Sequence, residues 1–249
     1  MIPYNMDDVK LDYHVLGKKG KSGKKIEVLV TVVKNEIISS FVEAFMLAGL
    51  DVAVVDVDYF ALQNCFELAY PEMVEETTAL VQVGARHTSV NICKDGKSLF
   101  VGTIPIGGNT FSDMLVEELG ISDKEAEAIK TGRDTKHEKY NDALSLISVK
   151  IEEVSSEFNR QLSMFWNASG SSEGINSIII TGGGALLPGF TDAIAEKTGL
   201  EVEMMNPVRA LDVDEDFDAD YMLELSPFIS LCAGLCERQP GDKIVHYDD

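Results

Sequence analysis

The sequence predicts an α/β fold in two successive modules, and three observations predict it. Apolar strand patterns alternate with helical ones over residues 26–69. A meander of three strand patterns over 78–108 then runs into a helix. Further on, the apolar run Ile178-Ile179-Ile180-Thr181 ends in three glycines, Gly182 to Gly184. Alternating segments of this kind pack as a sheet covered by helices, and ligands of such folds sit at loops beyond the strand ends.

Each element follows from its own pattern. Residues 8–19 alternate apolar and polar positions as a half-buried strand does, and IEVLVTVV at 26–33 reads as a more deeply buried strand. The Gly/Lys stretch 17–25 between them makes a hairpin with a basic tip. It is not a phosphate loop, because Val15 stands where a Walker A motif ending in Gly20-Lys21-Ser22 needs glycine. Residues 35–48 carry apolar side chains at helical spacing and stop at Gly49. DVAVVDVD at 51–58 reads as a short strand, and 59–69 as a helix ended by Pro71.

Strand patterns follow at 78–85, 88–96 and 97–108, the last two joined by Asp95-Gly96, a strong hairpin signal. Gly107-Gly108 opens a helix over 109–120, and Ser122 caps a short helix over 122–131, with Glu125 completing a capping box. A long helix spans about 138–168, with apolar residues from Leu144 to Phe165 at intervals of three and four. These two helices read as an inserted helical subdomain. A strand at 176–184, a helix at 189–198, a strand at 201–207, an acidic loop at 212–220 and a helix at about 224–237 follow.

Composition narrows the function. The 249 residues hold 21 Lys and Arg against 42 Asp and Glu, a formal charge of −21, which excludes a nucleic-acid binder and broad adhesion to an anionic leaflet. A hydrophobic content of 45 % excludes wholesale disorder. Cys65, Cys93, Cys232 and Cys236 lie mostly in apolar runs, the pattern of buried free thiols in a reducing compartment. Cys232 and Cys236 have no second Cys/His pair at zinc spacing, so no metal site is expected. The first residues lack a signal peptide's basic and apolar regions, and the longest apolar stretches are too short to span a bilayer. A soluble cytoplasmic protein is the expectation.

Four local signals can carry chemistry. Gly182, Gly183 and Gly184 allow close backbone approach to a flat ligand, or simply make a tight turn. Gly84-Ala85-Arg86 between two strands is an anion-binding nest or an ordinary hairpin turn. Ile104-Pro105-Ile106-Gly107-Gly108 offers helix-start N–H groups to an anion, or is plain helix initiation. Glu127 and Lys130 lie three apart on one helix face, as a ligand pair or a surface ion pair. No GxSxG or HExxH motif is present, and the acidic run 212–220 lacks the spacing of a calcium loop.

Taken in order, these signals resemble the actin-like ATPase superfamily and, within it, the PilM side of the FtsA/PilM branch. VQVGARHTSV looks like the second phosphate loop, KEAEAIK like the AExxK helix that reaches the nucleoside, and IIITGGGALLPGF like the adenosine loop. VVDVDYFAL is similar to the connection between the two halves, FVGTIPIGGNTFSDML to the strand and helix after the phosphate loop, and SPFISLCAGLCER to the closing helix. The start, IPYNMDDVKLDYHVL, looks like the family's segment ahead of a strand hairpin.

The resemblance implies an actin-like, ribonuclease-H-like two-lobed fold. The first lobe, 1–75, would be partial, lacking the first phosphate loop; the second, 76–249, would carry a helical insertion at about 121–175. It implies a cytoplasmic pilus-assembly scaffold that binds ATP, with or without Mg²⁺, through Gly84, Ala85, Arg86, Glu127, Lys130 and Gly182 to Gly184. The partner it implies is the cytoplasmic N-terminus of a PilN-like inner-membrane protein, with pilus motor components beyond it and no insertion of its own into the membrane. Gln82 stands where the family has Asp, and a neutral amide cannot hold hydrated Mg²⁺ as a carboxylate does, so turnover is expected to be weak at most. An FtsA-like division protein and an actin-like ATPase with real turnover are the alternatives. The acidic end GDKIVHYDD, too short for an interfacial helix, counts against the first.

Overall fold

The computed structural model describes residues 4–19, 25–169, 174–214 and 216–239. The chain divides into two compact units, Met1–Val55 with Arg238–Asp249, and Asp56–Glu237.

In the first unit, β1 (Val9–Lys19) and β2 (Lys25–Lys34) form an antiparallel hairpin in register from Val9↔Lys34 to Val15↔Val28, with an irregularity between Val15 and Gly17. The basic tip expected between them falls largely outside the described residues. Helix α1 (Asn35–Leu47) follows directly, and Asn35 Nδ2 donates to Asp7 O at 3.0 Å, tying the helix start to the hairpin start. None of its residues is buried. The strand expected at 51–58 does not form: residues 51–57 have no regular structure and α2 begins at Asp58. A Val-rich run becomes a strand only where a neighbouring ladder takes its N–H and C=O groups, and no described strand pairs with this one.

The second unit is built on a five-stranded sheet in the order β5-β4-β3-β6-β7. Strands β3 (Thr78–Val83), β4 (Thr88–Lys94) and β5 (Lys97–Ile104) form the antiparallel meander. Their second turn carries positive φ at both Asp95 (51°) and Gly96 (69°), as a two-residue hairpin loop requires. Strands β6 (Ser177–Thr181) and β7 (Glu201–Met204) extend the sheet in parallel from β3.

The central strands are buried on both faces, and this explains their unbroken apolar sequence. Ala79, Val81, Val83, Ile178 and Ile180 enter one core, while Leu80 and Ile179 enter the other. The first core is roofed by α3 (Gly108–Leu119), α4 (Asp123–Lys130), α5 (Tyr140–Ser169) and α6 (Phe190–Thr198). Most of the predicted stripe on α5 is buried, at Ile147, Ile151, Val154, Phe158 and Leu162, but its expected start Leu144 is exposed and Ala143 turns inward instead. Ser122 and Glu125 form the predicted capping box of α4.

The opposite face is covered by α2 (Asp58–Ala69) and α7 (Ala219–Cys236). Helix α7 starts about a turn earlier than expected because Asp218 caps it, its carboxylate accepting from Tyr221 N at 2.9 Å. Cys65 and Cys93 are buried in this core, and burial pushes both thiols up to about 12. Cys232 and Cys236, expected to be buried, are exposed on α7. The side of α7 that turns inward is instead the one carrying Ser226, Ser230 and Gly234.

The α2–α7 crossing depends on Gly234, where a Cβ would collide with the carbonyl oxygen of Ala61. Backbone cannot yield as a flexible side chain does. Gly234→Ala is therefore expected to destabilise the chain by about 1–3 kcal/mol through overpacking, seen as a lower urea midpoint with an unchanged slope.

Candidate functional site

The site grows from the ends of β3 and β6. These strands run parallel in register to Gln82↔Thr181, so the residues that follow, Val83 and Gly182, leave the sheet side by side. Gly182 has φ 94°, and a Cβ there would strike the Val83 carbonyl. A Cβ at Gly184 would strike the Val83 side chain, and one at Gly183 would sit 3.1 Å from Cε1 of Phe228. Only glycine fits at 182 and 184, and the short 3-10 segment Gly183–Leu186 leads on towards α6.

The end of β3 is bound just as closely to α3. Gly84 N donates to His87 O at 3.0 Å and closes the β3–β4 turn. The Gly84 and Ala85 carbonyls then accept from Gly108 N (2.9 Å) and Asn109 N (2.7 Å). A Cβ at Gly107 would come within 2.7 Å of the same carbonyl groups. Of the two readings of the α3 start, this favours plain helix initiation over an anion site: two of its N–H groups are already committed to protein oxygens.

Glu127 and Lys130 are more than a surface pair. Lys130, with a side chain only 9 % exposed, donates to Gly108 O at 3.1 Å, to Ser112 Oγ at 2.9 Å and to Glu127 Oε2 at 2.5 Å. Those three bonds match the three donors of an ammonium group. Ser112 Oγ in turn donates to Glu127 Oε2 at 2.9 Å. The strut ties α4 to the first turn of α3. Partial burial raises the Glu127 carboxyl, but the bonds from Lys130 and Ser112 and the charges of Lys130 and Arg133 outweigh it and hold the group below its ordinary value. Both bonds reach Oε2, and the Glu127 side chain stays 49 % exposed, an acceptor facing outward.

The structure thus brings three of the sequence signals to one point and ties in the fourth through Lys130. A Cβ placed on Gly108 would lie 3.5 Å from Lys130 Nζ, 3.8 Å from Gly84 O and 3.9 Å from Gly184 Cα. Beside it, a cavity of about 250 Å³ opens between α4, α5 and the start of α6, lined by Lys130, Tyr140, Ile147, Glu152, Pro188 and Asp192 among others. Arg86 is exposed in the β3–β4 turn. Ser112, Val83 and Phe228 were not expected here. Ser112 sits one helical turn beyond Gly108, a signal the sequence did contain, whereas the other two follow from pairing and packing across the chain. Among the described residues, no group of three or more His, Cys, Asp or Glu is placed to hold a metal ion.

The described parts fit the nucleoside end of a nucleotide better than its phosphates. An outward carboxylate matches ribose hydroxyl donors, and a bare glycine turn admits a flat ring. The phosphate end would meet a neutral Gln82 and an α3 start whose first N–H groups are already engaged.

Comparison with known proteins agrees with this architecture. A family model described as type IV pilus assembly protein PilM matches residues 1–239. A PilM–PilN type IV pilus biogenesis complex superposes with a TM-score of 0.78 at 25 % identity, over 94 % of this chain and 67 % of that one. The ethanolamine utilization protein EutJ from Carboxydothermus hydrogenoformans gives 0.54 at 14 % identity, covering 90 % and 88 %. MreB5 of Spiroplasma citri bound to AMPPNP gives 0.51 at 14 % identity, covering 82 % and 64 %. The fold is actin-like, and the chain belongs to the PilM family of type IV pilus assembly proteins. Among the described residues no helix is long and apolar enough to cross a membrane.

The strut predicts a pH dependence of definite sign. A carboxyl held below its ordinary value when folded stabilises the fold above its unfolded pKa, and that contribution is lost as pH falls through the folded value. Carboxyl-carbon NMR is expected to place the Glu127 midpoint below the ordinary 4.5 in the native chain. In Lys130→Met the midpoint should move upward, and a midpoint that stays put would mean the ion pair is not what holds it down.

Proposed function

We propose that this member of the PilM family is a cytoplasmic scaffold of the type IV pilus inner-membrane platform, with a nucleotide as its structural or switching ligand. ATP, with or without Mg²⁺, would lie against the Gly182–Gly184 turn. Glu127 would accept from the ribose hydroxyls, Lys130 would hold Glu127 in place, and Gly84, Ala85 and Arg86 would stand at the phosphate end, where Arg86 supplies the charge because Gly84 N is already bonded to His87 O. The observation that carries this reading is the meeting of Gly84, Gly108, Gly184 and Lys130 at one point beside an outward carboxylate. An actin-like neighbour bound to AMPPNP supports it.

The same reading makes the site one for binding rather than turnover. Gln82 supplies no charge for a hydrated cation. A ligand that is bound and not consumed still works as a switch, because it stabilises whichever conformation binds it. The division into lobes at 1–75 and 76–249 belongs to this proposal, with the ligand associated with the second lobe. The partner is the cytoplasmic N-terminus of a PilN-like membrane protein, a reading supported by the PilM–PilN neighbour. A chain carrying a formal charge of −21 is repelled by an anionic leaflet, so a protein partner is the physically easier route to the inner membrane.

Calorimetry tests both halves. ATP is expected to bind the native chain, and Lys130→Ala to weaken it by about tenfold through loss of the strut, with phosphate release no faster than the buffer blank. A synthetic PilN-like N-terminal peptide is expected to bind the native chain saturably. Mg²⁺-dependent turnover abolished by altering Gly183 would replace the scaffold with a working ATPase.

A further inference from the structure

The three glycines of the turn are claimed by the protein before any ligand arrives. Val83 claims the side-chain space of Gly182 and Gly184, as strand pairing requires. The space at Gly183 is claimed by Phe228, from a helix on the other face of the sheet. Phe228 is 57 % exposed, so burial of its ring is not what places it there. What places it is the backbone of α7. Gly182 N donates to Pro227 O at 3.0 Å, and Thr181 Oγ1 donates towards both Pro227 O (3.2 Å) and Ser230 Oγ (2.9 Å). Ser230 Oγ in turn donates to Ser226 O at 2.7 Å. This is the stretch of α7 that bonds sideways to the turn.

On the reading that the turn holds a nucleotide, we infer that Phe228 is a positioning residue of that site. Its ring braces the peptide at Gly183, and with the Pro227 carbonyl it makes the turn and the middle of α7 move as one body. Binding and helix geometry are then reciprocally linked: a ligand that settles on the turn steadies α7, and loosening α7 costs the ligand affinity. The link reaches α2, because α7 meets α2 where Gly234 lies against Ala61.

The test uses the full chain, calorimetry with ATP, and amide hydrogen exchange at residues 182–186 and 228–236. Phe228→Ala and the milder Phe228→Leu are expected to speed exchange in the turn and to weaken ATP at least about fivefold. Phe228→Tyr, which keeps the ring, should restore both to within about twofold. Tyr221→Ala, at the far end of the same helix, should leave both unchanged, which a general loss of stability in α7 would not do. ATP should slow exchange at 228–236 in the native chain and fail to do so in Phe228→Leu. Turn amides that exchange at the native rate in both Phe228 variants overturn the brace, as does native ATP affinity in both. The exchange arm needs no nucleotide, so a native chain that binds no ATP refutes the cleft reading while the turn amides still decide the brace.

Discussion

Parallel pairing of β3 with β6 is the constraint from which the rest of the site follows. The pairing delivers Val83 and Gly182 side by side at the same edge of the sheet, and the space between them admits no Cβ. The chain must leave β6 through glycine, and the turn it makes is bare backbone. The other strand end is just as crowded, since the Gly84 and Ala85 carbonyls are taken by the first N–H groups of α3. That contact fixes where α3 begins, and α3 fixes where Lys130 of α4 finds its partners. The end of β3 is thus the shared anchor of the glycine turn on one side and of the α3 start on the other.

Electrostatics work differently at the surface and at this point. Most of the chain's acidic residues are solvated, and their mutual repulsion is screened over roughly 10 Å at ordinary ionic strength. Lys130 is the contrast: nearly buried, it is tolerable only because a carboxylate, a hydroxyl and a carbonyl take its donors. Removing any one partner would leave a buried N–H without an acceptor, which costs more than the net gain of an average hydrogen bond. The network is therefore held together by the penalty of breaking it, and that makes it a stiff support for the outward Glu127 carboxylate.

Much of this was legible in the sequence, for identifiable reasons. The meander, the Asp95-Gly96 turn, the capping box at Ser122 and the stripe on α5 are local patterns with local causes, and each formed where its pattern lay. The run at 51–58 was misread because a Val-rich segment states a preference for a ladder without stating that a partner strand exists. The α3 start stayed open between an anion site and plain helix initiation, because an N-terminus advertises donors whether or not a distant carbonyl has taken them. Glu127 and Lys130 were found through their helical spacing, but Ser112 was not, although it completes their network. Phe228 carried no signal at all, since nothing local connects position 228 to Gly183.

The glycine run itself has to be weighed against this background. Three glycines after an apolar strand look like a ligand cradle, yet here Gly182 and Gly184 are required by Val83, and Gly183 is crowded by Phe228, whether a ligand is present or not. Their occurrence is a statement about packing first. The case for a ligand rests instead on an asymmetry in the strut. Lys130 turns every donor inward, whereas Glu127 spends one oxygen on both of its bonds and keeps half its side chain in the open. That arrangement also spares the carboxylate part of its desolvation cost. A site that meets a ligand rich in hydroxyl donors gains a charged acceptor from it. That offset between a sealed cation and an open anion is the feature on which the proposed ligand would act.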